Sequence, residues 1–183
     1  MKVKDKKIID TVFGKQVDSA FFRDYNVLAK QSKLAKQETN DCVVLSLMSV
    51  LEVPYEVAHD IARTKLNRKD RQGTYLTLFA RNIIGSRING YRIKFIGAHP
   101  EKKYWQTSIA GSVNRKVLKN VHYKKSDVGY TLKSFIEHNP VGRFMLIVQG
   151  HAVAVIDGVL YGNRNDRTHG VQRRVWAAFE MKK

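Results

Sequence analysis

Two residues in this chain have side chains and surroundings suited to attacking a carbonyl group. Cys42 is the only cysteine among 183 residues. It follows the polar run Gln37-Glu38-Thr39-Asn40-Asp41 and opens the apolar stretch from Val43 to Leu51. A free thiol titrates near about 8.5 and needs help to be a thiolate at neutral pH. A helix N-terminus supplies that help, through positive potential and backbone N–H groups without partners. The same N–H groups, with a side-chain amide just upstream, can hold the oxyanion formed when a thiolate attacks a carbonyl. Gln37 and Asn40 are the available amides. The base must meet the thiol in space, and a rigid strand is a suitable platform for it. His151 fits, at the start of the run His151-Ala152-Val153-Ala154-Val155-Ile156. Either residue alone has a plain explanation, since free cysteines are commonly small buried hydrophobes. His59, His99, His122, His138 and His169 have no comparable setting.

The elements that must position this pair are legible in part. Thr39, Asn40 or Asp41 can cap a helix running through Leu51, with Val43, Val44, Leu47, Met48 and Leu51 on one face. Pro54 suits a first helical position, and Val57, Ile61, Ala62 and Leu66 give a second amphipathic helix. Thr74 can open a third, with Leu76, Phe79 and Ile83 on its face and Gly85 as its C-terminal cap. Alternation at Tyr91, Ile93 and Phe95 predicts a strand. Ile109, Val113, Val117 and Val121 recur every four residues, which favours a helix in the least readable part of the chain. Leu132, Phe135 and Ile136 predict a short helix that Asn139-Pro140 must end. The tail is β-rich. Phe144 to Val148 and Ala152 to Ile156 read as strands, Asp157-Gly158 as a two-residue hairpin turn into Val159-Leu160-Tyr161, and Val171 to Phe179 as a last strand. Helices first and an antiparallel sheet after them make the expected class α+β, in one domain over 1–183 with a charged arm at 1–37 and a core at 38–183.

Hairpin register bears on the group that would orient His151. With Asp157-Gly158 as the central turn residues, His151 lies opposite Arg164, and residues 162, 164 and 166 share its face. That favours Asp166.

Asn40-Asp41-Cys42-Val43-Val44-Leu45-Ser46-Leu47, followed by Val53-Pro54-Tyr55-Glu56-Val57-Ala58, resembles the nucleophile helix of small papain-like proteins of bacteriophages and bacteria. Gly142 to Tyr161 resembles their histidine strand and hairpin. The order cysteine, histidine, then amide or acid is that of papain-like and bacteriocin-processing cysteine peptidases. The likeness covers residues 37–66 and 131–166. It implies a papain-like fold, with the nucleophile helix packed on a C-terminal antiparallel sheet. It also implies a cysteine hydrolase acting on a peptide, an isopeptide or a glutamine side chain, without a cofactor. It sets the orienting Asp or Asn near Asn165, with Asn163 the other choice, and a single bulge would reconcile Asn165 with Asp166. Asn165 is the expected orienting group, with Asp166 as the alternative. The glycines and aromatic residue that surround the papain cysteine are replaced here by Val43 and Val44.

Charge points to a second class of function. Thirty-three basic against 16 acidic residues give a net charge of +17. Such a surface attracts nucleic acid or acidic proteins in a salt-dependent way. Basic residues concentrate at Lys2 to Lys7, around Arg115 to Lys125, and from Arg63 to Arg71, where Arg63, Lys65, Arg68, Lys69 and Arg71 are the expected polyanion contacts. The alternative function is therefore a non-enzymatic module that binds nucleic acid or an acidic host protein. Six histidines without ligand spacing and one thiol give no expected metal site. No apolar run approaches the roughly 20 residues of a membrane span. One cysteine forms no internal disulfide, and the charged N-terminus lacks the apolar stretch of a secretory signal. The expected location is cytoplasmic, or host cytoplasm or virion for a phage-encoded chain.

Overall fold

A computed structural model of the chain describes residues 21–74, 82–98, 130–168 and 170–183. In chain order the described elements are β1 (Phe22–Asp24), α1 (Tyr25–Ala29), a 3-10 turn (Ala35–Gln37), α2 (Cys42–Leu51), α3 (Tyr55–Leu66), β2 (Arg87–Ile88), β3 (Tyr91–Ala98), α4 (Leu132–His138), β4 (Arg143–Val148), β5 (His151–Ile156), β6 (Val159–Gly162), α5 (Arg164–Thr168), a second 3-10 turn (Gly170–Gln172) and β7 (Ala177–Lys182). The expected helix at 109–121, and most of the one expected from Thr74, lie outside the described residues.

Seven strands form one mixed sheet in the order β1-β6-β5-β4-β7-β3-β2. Every pairing is antiparallel except that of β1, which lies parallel to β6 at the edge. The C-terminal strands are antiparallel as expected and the N-terminal β1 is the exception; of the charged arm expected at 1–37, residues 1–20 lie outside the described residues and the part from Phe22 joins the sheet and core. Phe22 pairs with Leu160, and Tyr25 and Ala29 are buried in the core. The last strand begins at Ala177, later than the apolar spacing from Val171 predicts; Val171 sits in the second 3-10 turn instead.

The sheet has apolar packing on both faces. On one, α2 and α3 pack with Tyr25 against Met145, Ala152, Ala154, Ala177 and Phe179. On the other, Leu132, Phe135 and Ile136 of α4 pack with Phe144, Leu146, Val148, Val153 and Val155. Alternation along β5 thus separates small residues from branched ones, since successive strand side chains point to opposite faces. Ala152 and Ala154 have the shortest side chains that still bury surface, so α2 can lie close to the strand that begins at His151. The hairpin β5–β6 has its predicted two-residue turn, with Ile156 paired to Val159 and both Asp157 (φ 47°) and Gly158 (φ 79°) left-handed. That combination is what a type I′ turn requires.

Candidate active site

Helix α2 starts at Cys42, and its nine following residues, Val43 to Leu51, are all buried. The entrance to this helix is therefore the one part of α2 that meets solvent, and Cys42 is half-buried there. Asp41 occupies the N-cap position, but its side chain makes no capping bond to the helix. Its Oδ2 instead accepts a hydrogen bond from the Tyr55 hydroxyl at 2.7 Å. An open cleft of about 500 Å³ lies over this end of the helix. Its lining includes Asp41, Cys42, Val43, His151, Asn163 and Trp176.

His151 comes to the cleft at the first position of β5, immediately after the left-handed Gly150. Its Nε2 lies 2.8 Å from Oδ2 of Asp166, 3.2 Å from the Tyr25 hydroxyl and 3.3 Å from the Asn163 amide nitrogen. Cys42 and His151 line the same cleft. Burial by itself pulls the imidazole pKa down. The bond to Asp166 and its negative charge, with a further contribution from nearby Cys42, overcome it, and His151 is raised from 6.5 to about 9.

Asp166 is fully buried. Its Oδ2 also accepts the backbone N–H of Asn163 at 2.8 Å, and its Oδ1 lies 3.3 Å from an Arg173 guanidinium nitrogen. Room for this carboxylate is made by two glycines. A Cβ on Gly162 would stand 2.7 Å from Oδ2, and one on Gly170 would stand 2.9 Å from Oδ1. Of the two residues expected near this position, Asp166 reaches His151. Asn165 is exposed, and its backbone N–H donates to the Asn163 side chain. What brings Asp166 inward is a turn of helix, α5, rather than the continued strand or bulge that register suggests. Asn163, the third option, touches both His151 and the α5 backbone.

Of the expected oxyanion amides, Gln37 lies away from the cleft and Asn40 is otherwise engaged. Gln37 is exposed and does not line the cleft; its backbone carbonyl accepts from Arg71 Nε at 3.2 Å. Asn40 does line the cleft, in a left-handed conformation (φ 54°), but its side-chain amide donates to the Arg71 carbonyl at 3.3 Å. The backbone N–H groups that begin α2 lie at the thiol and precede the helical hydrogen-bond ladder.

Tyr25 was hidden from sequence reasoning. It is buried, 126 residues from His151 in the chain, and its hydroxyl also donates to the Ala152 carbonyl at 3.4 Å. Burial, with the negative groups Cys42, Asp166 and Asp41 nearby, pushes its pKa far up, so it is a neutral donor at any working pH.

Of the five expected polyanion contacts, Arg68 is displaced by the structure. It is buried, with its guanidinium 2.7 Å from Glu38 Oε2, 3.2 Å from His59 Nε2 and 3.1 Å from the Thr39 carbonyl. Glu38 also accepts the Arg71 backbone N–H at 2.8 Å. This cluster ties residues 68–71 to the segment that leads into Cys42. Arg63, Lys65, Lys69 and Arg71 are exposed, Arg63 alongside Asp60 at 3.0 Å. Glu38, His59 and Asp70 bring three potential metal-ligating atoms within 4.8 Å of one another. The Arg68 guanidinium already bonds Glu38 and His59, so the cation held at this spot is the protein's own. No single described helix is long and apolar enough to cross a membrane. Compared with known proteins, the chain matches no family model, no curated protein and no solved structure.

Proposed function

We propose that the chain is a thiol hydrolase of papain-like type, in which Cys42 is the nucleophile, His151 the general acid and base, and Asp166 the group that orients and charges His151. The observation that carries this reading is that His151, bonded through Nε2 to the buried Asp166 carboxylate, lines the same cleft as Cys42 at the entrance of α2. A papain-like arrangement is further supported by the nucleophile at the entrance of a buried helix packed on the strand that carries the histidine.

The chemistry balances with these groups alone. The Cys42 thiolate adds to an acyl carbonyl, and the first N–H groups of α2 receive the oxyanion. Protonated His151 gives its proton to the departing amine as the carbon–nitrogen bond breaks and a thioester remains. Water then attacks the thioester, His151 takes a proton from it, and the acid leaves as the thiolate is regenerated. Asp166 accepts from Nε2–H, which leaves Nδ1 to serve the thiol. The substrate is a peptide, an isopeptide or a glutamine side-chain amide, all of which present this carbonyl.

The test is alkylation and turnover together. Iodoacetamide should modify Cys42 at pH 6 much faster than it modifies a free thiol, and Cys42→Ser should lose both modification and hydrolysis of peptide or glutamine-amide libraries. An inert Cys42 would overturn the reading. A second reading, binding of nucleic acid or an acidic protein, is favoured by the +17 charge and the exposed Arg63, Lys65, Lys69 and Arg71. It predicts DNA or RNA retention that falls steeply with salt and is unchanged in Cys42→Ser.

A further inference from the structure

We infer that Tyr55 is a positioning residue that keeps the Asp41 carboxylate off the N-terminus of α2, leaving the first N–H groups of that helix open to the cleft beside Cys42. The inference rests on the thiol-hydrolase reading and adds to it a reason for the open helix end. Aspartate is among the strongest N-cap residues, and its carboxylate normally accepts the N–H of the second or third helical residue. Here those residues are Val43 and Val44. Asp41 stands at the N-cap and makes no such bond. The backbone does begin the helix normally, since Leu45 N–H reaches the Asp41 carbonyl at 3.0 Å. Only the side chain is diverted, by the 2.7 Å bond from the Tyr55 hydroxyl.

Tyr55 is well built for the task. It is 2% exposed and is the first residue of α3. Its ring stacks on His59 at 6.1 Å with 29° between planes, and His59 is held by Arg68. The hydroxyl therefore has little freedom to follow the carboxylate. Burial and the bond to Asp41 push the Tyr55 pKa far up, so the donor stays protonated.

Two consequences follow for chemistry. A capping carboxylate would occupy the N–H group of Val43 or Val44 at the end of the helix, where Val43 lines the cleft and an oxyanion would be received. It would also bring a negative charge to the helix end that favours the thiolate. The other titratable groups around the thiol are His151 on β5, Tyr25 on α1 and Asp166 on α5, and none of these hydrogen-bonds Tyr55.

The experiment compares the wild-type chain, Tyr55→Phe and Tyr55→Phe with Asp41→Ala by two readouts. Amide NMR reports the cap directly. In Tyr55→Phe the Val43 or Val44 N–H should move downfield and exchange more slowly as the carboxylate returns, and the added Asp41→Ala should reverse both changes. Iodoacetamide alkylation of Cys42 between pH 4 and 9 reports the chemistry. The rate at pH 5.5 should fall about tenfold in Tyr55→Phe and recover to within about twofold in the double variant. If the Val43 and Val44 amides in Tyr55→Phe keep their wild-type shifts and exchange, the inference is overturned whatever the alkylation rates. Shifted amides with an alkylation profile that coincides with wild type also overturn it, since the cap then has no bearing on the thiol. Slow alkylation of the wild type itself defeats the thiol-hydrolase reading, while shifted amides would still uphold the diversion of Asp41.

Discussion

Replacing Asp166 by asparagine keeps the shape of the side chain and removes the charge on which the proposed chemistry depends. In the native chain His151 is raised from 6.5 to about 9 against the opposing effect of burial, with Asp166 the leading cause of the rise. At about 1.4 kcal/mol per pH unit, the difference corresponds to about 3 kcal/mol of preference for the imidazolium. With the carboxylate gone, burial is opposed by Cys42 alone, and Arg173, 3.3 Å from Oδ1, becomes an uncompensated positive neighbour. The His151 titration, followed by its ring signals in NMR, should fall well below 9 towards the ordinary value near 6.5. Hydrolysis should fall by about 10²–10⁴-fold, the usual worth of general acid–base catalysis. Stability gives an independent check with a definite sign. A histidine raised on folding stabilises fully below its unfolded value of about 6.5 and loses that contribution as pH rises through about 9. The native chain should therefore lose up to about 3 kcal/mol of unfolding free energy across this window by denaturant titration, and Asp166→Asn should lose much less. A His151 that still titrates near 9 in Asp166→Asn would refute the assignment of its charge to Asp166.

Three further substitutions test parts of the same geometry. Tyr25→Phe removes the hydroxyl that bonds His151 Nε2 and the Ala152 carbonyl; it should cost about 1 kcal/mol of stability and lower turnover by roughly tenfold, read by thermal melting and steady-state rates. Gly162→Ala should displace the Asp166 carboxylate, since the new methyl would lie 2.7 Å from Oδ2; activity should fall at least tenfold and the His151 titration should move down with it. Arg68→Met leaves Glu38 buried without its cation and should destabilise the chain by about 3–5 kcal/mol in denaturant melts, while an exposed-site control, Lys69→Met, should change stability by less than about 0.5 kcal/mol.

What the sequence reveals of this site follows the range of the interactions involved. The entrance of α2 is legible because its signals are local: a polar run, then nine apolar residues that become the buried length of the helix. The β5–β6 hairpin is legible for the same reason, since Asp157-Gly158 specifies its turn and the turn specifies register. Asp166 is reached by that register argument but for an incomplete reason, because the chain leaves the strand after Gly162 and a short helix delivers the carboxylate. The resemblance-based preference for Asn165 fails by one residue, which on a helix turns the side chain out to solvent. Tyr25 was not legible. Its partner lies 126 positions away, and the charged segment before it gives no period that would mark it as core. Arg68 was misread as surface because composition counts a guanidinium without counting the buried Glu38 and His59 that enclose it. Asp41 was legible as a cap by residue type, and the long-range bond to Tyr55 is what diverts it.

The central claim is that His151 and Cys42 act as one unit, with the imidazolium stabilising the thiolate. The rate of iodoacetamide alkylation of Cys42 at pH 6, in the native chain and in His151→Ala, tests it most directly. The account predicts fast alkylation in the native chain and a fall of at least about thirtyfold in His151→Ala. Equal rates in the two proteins would contradict it.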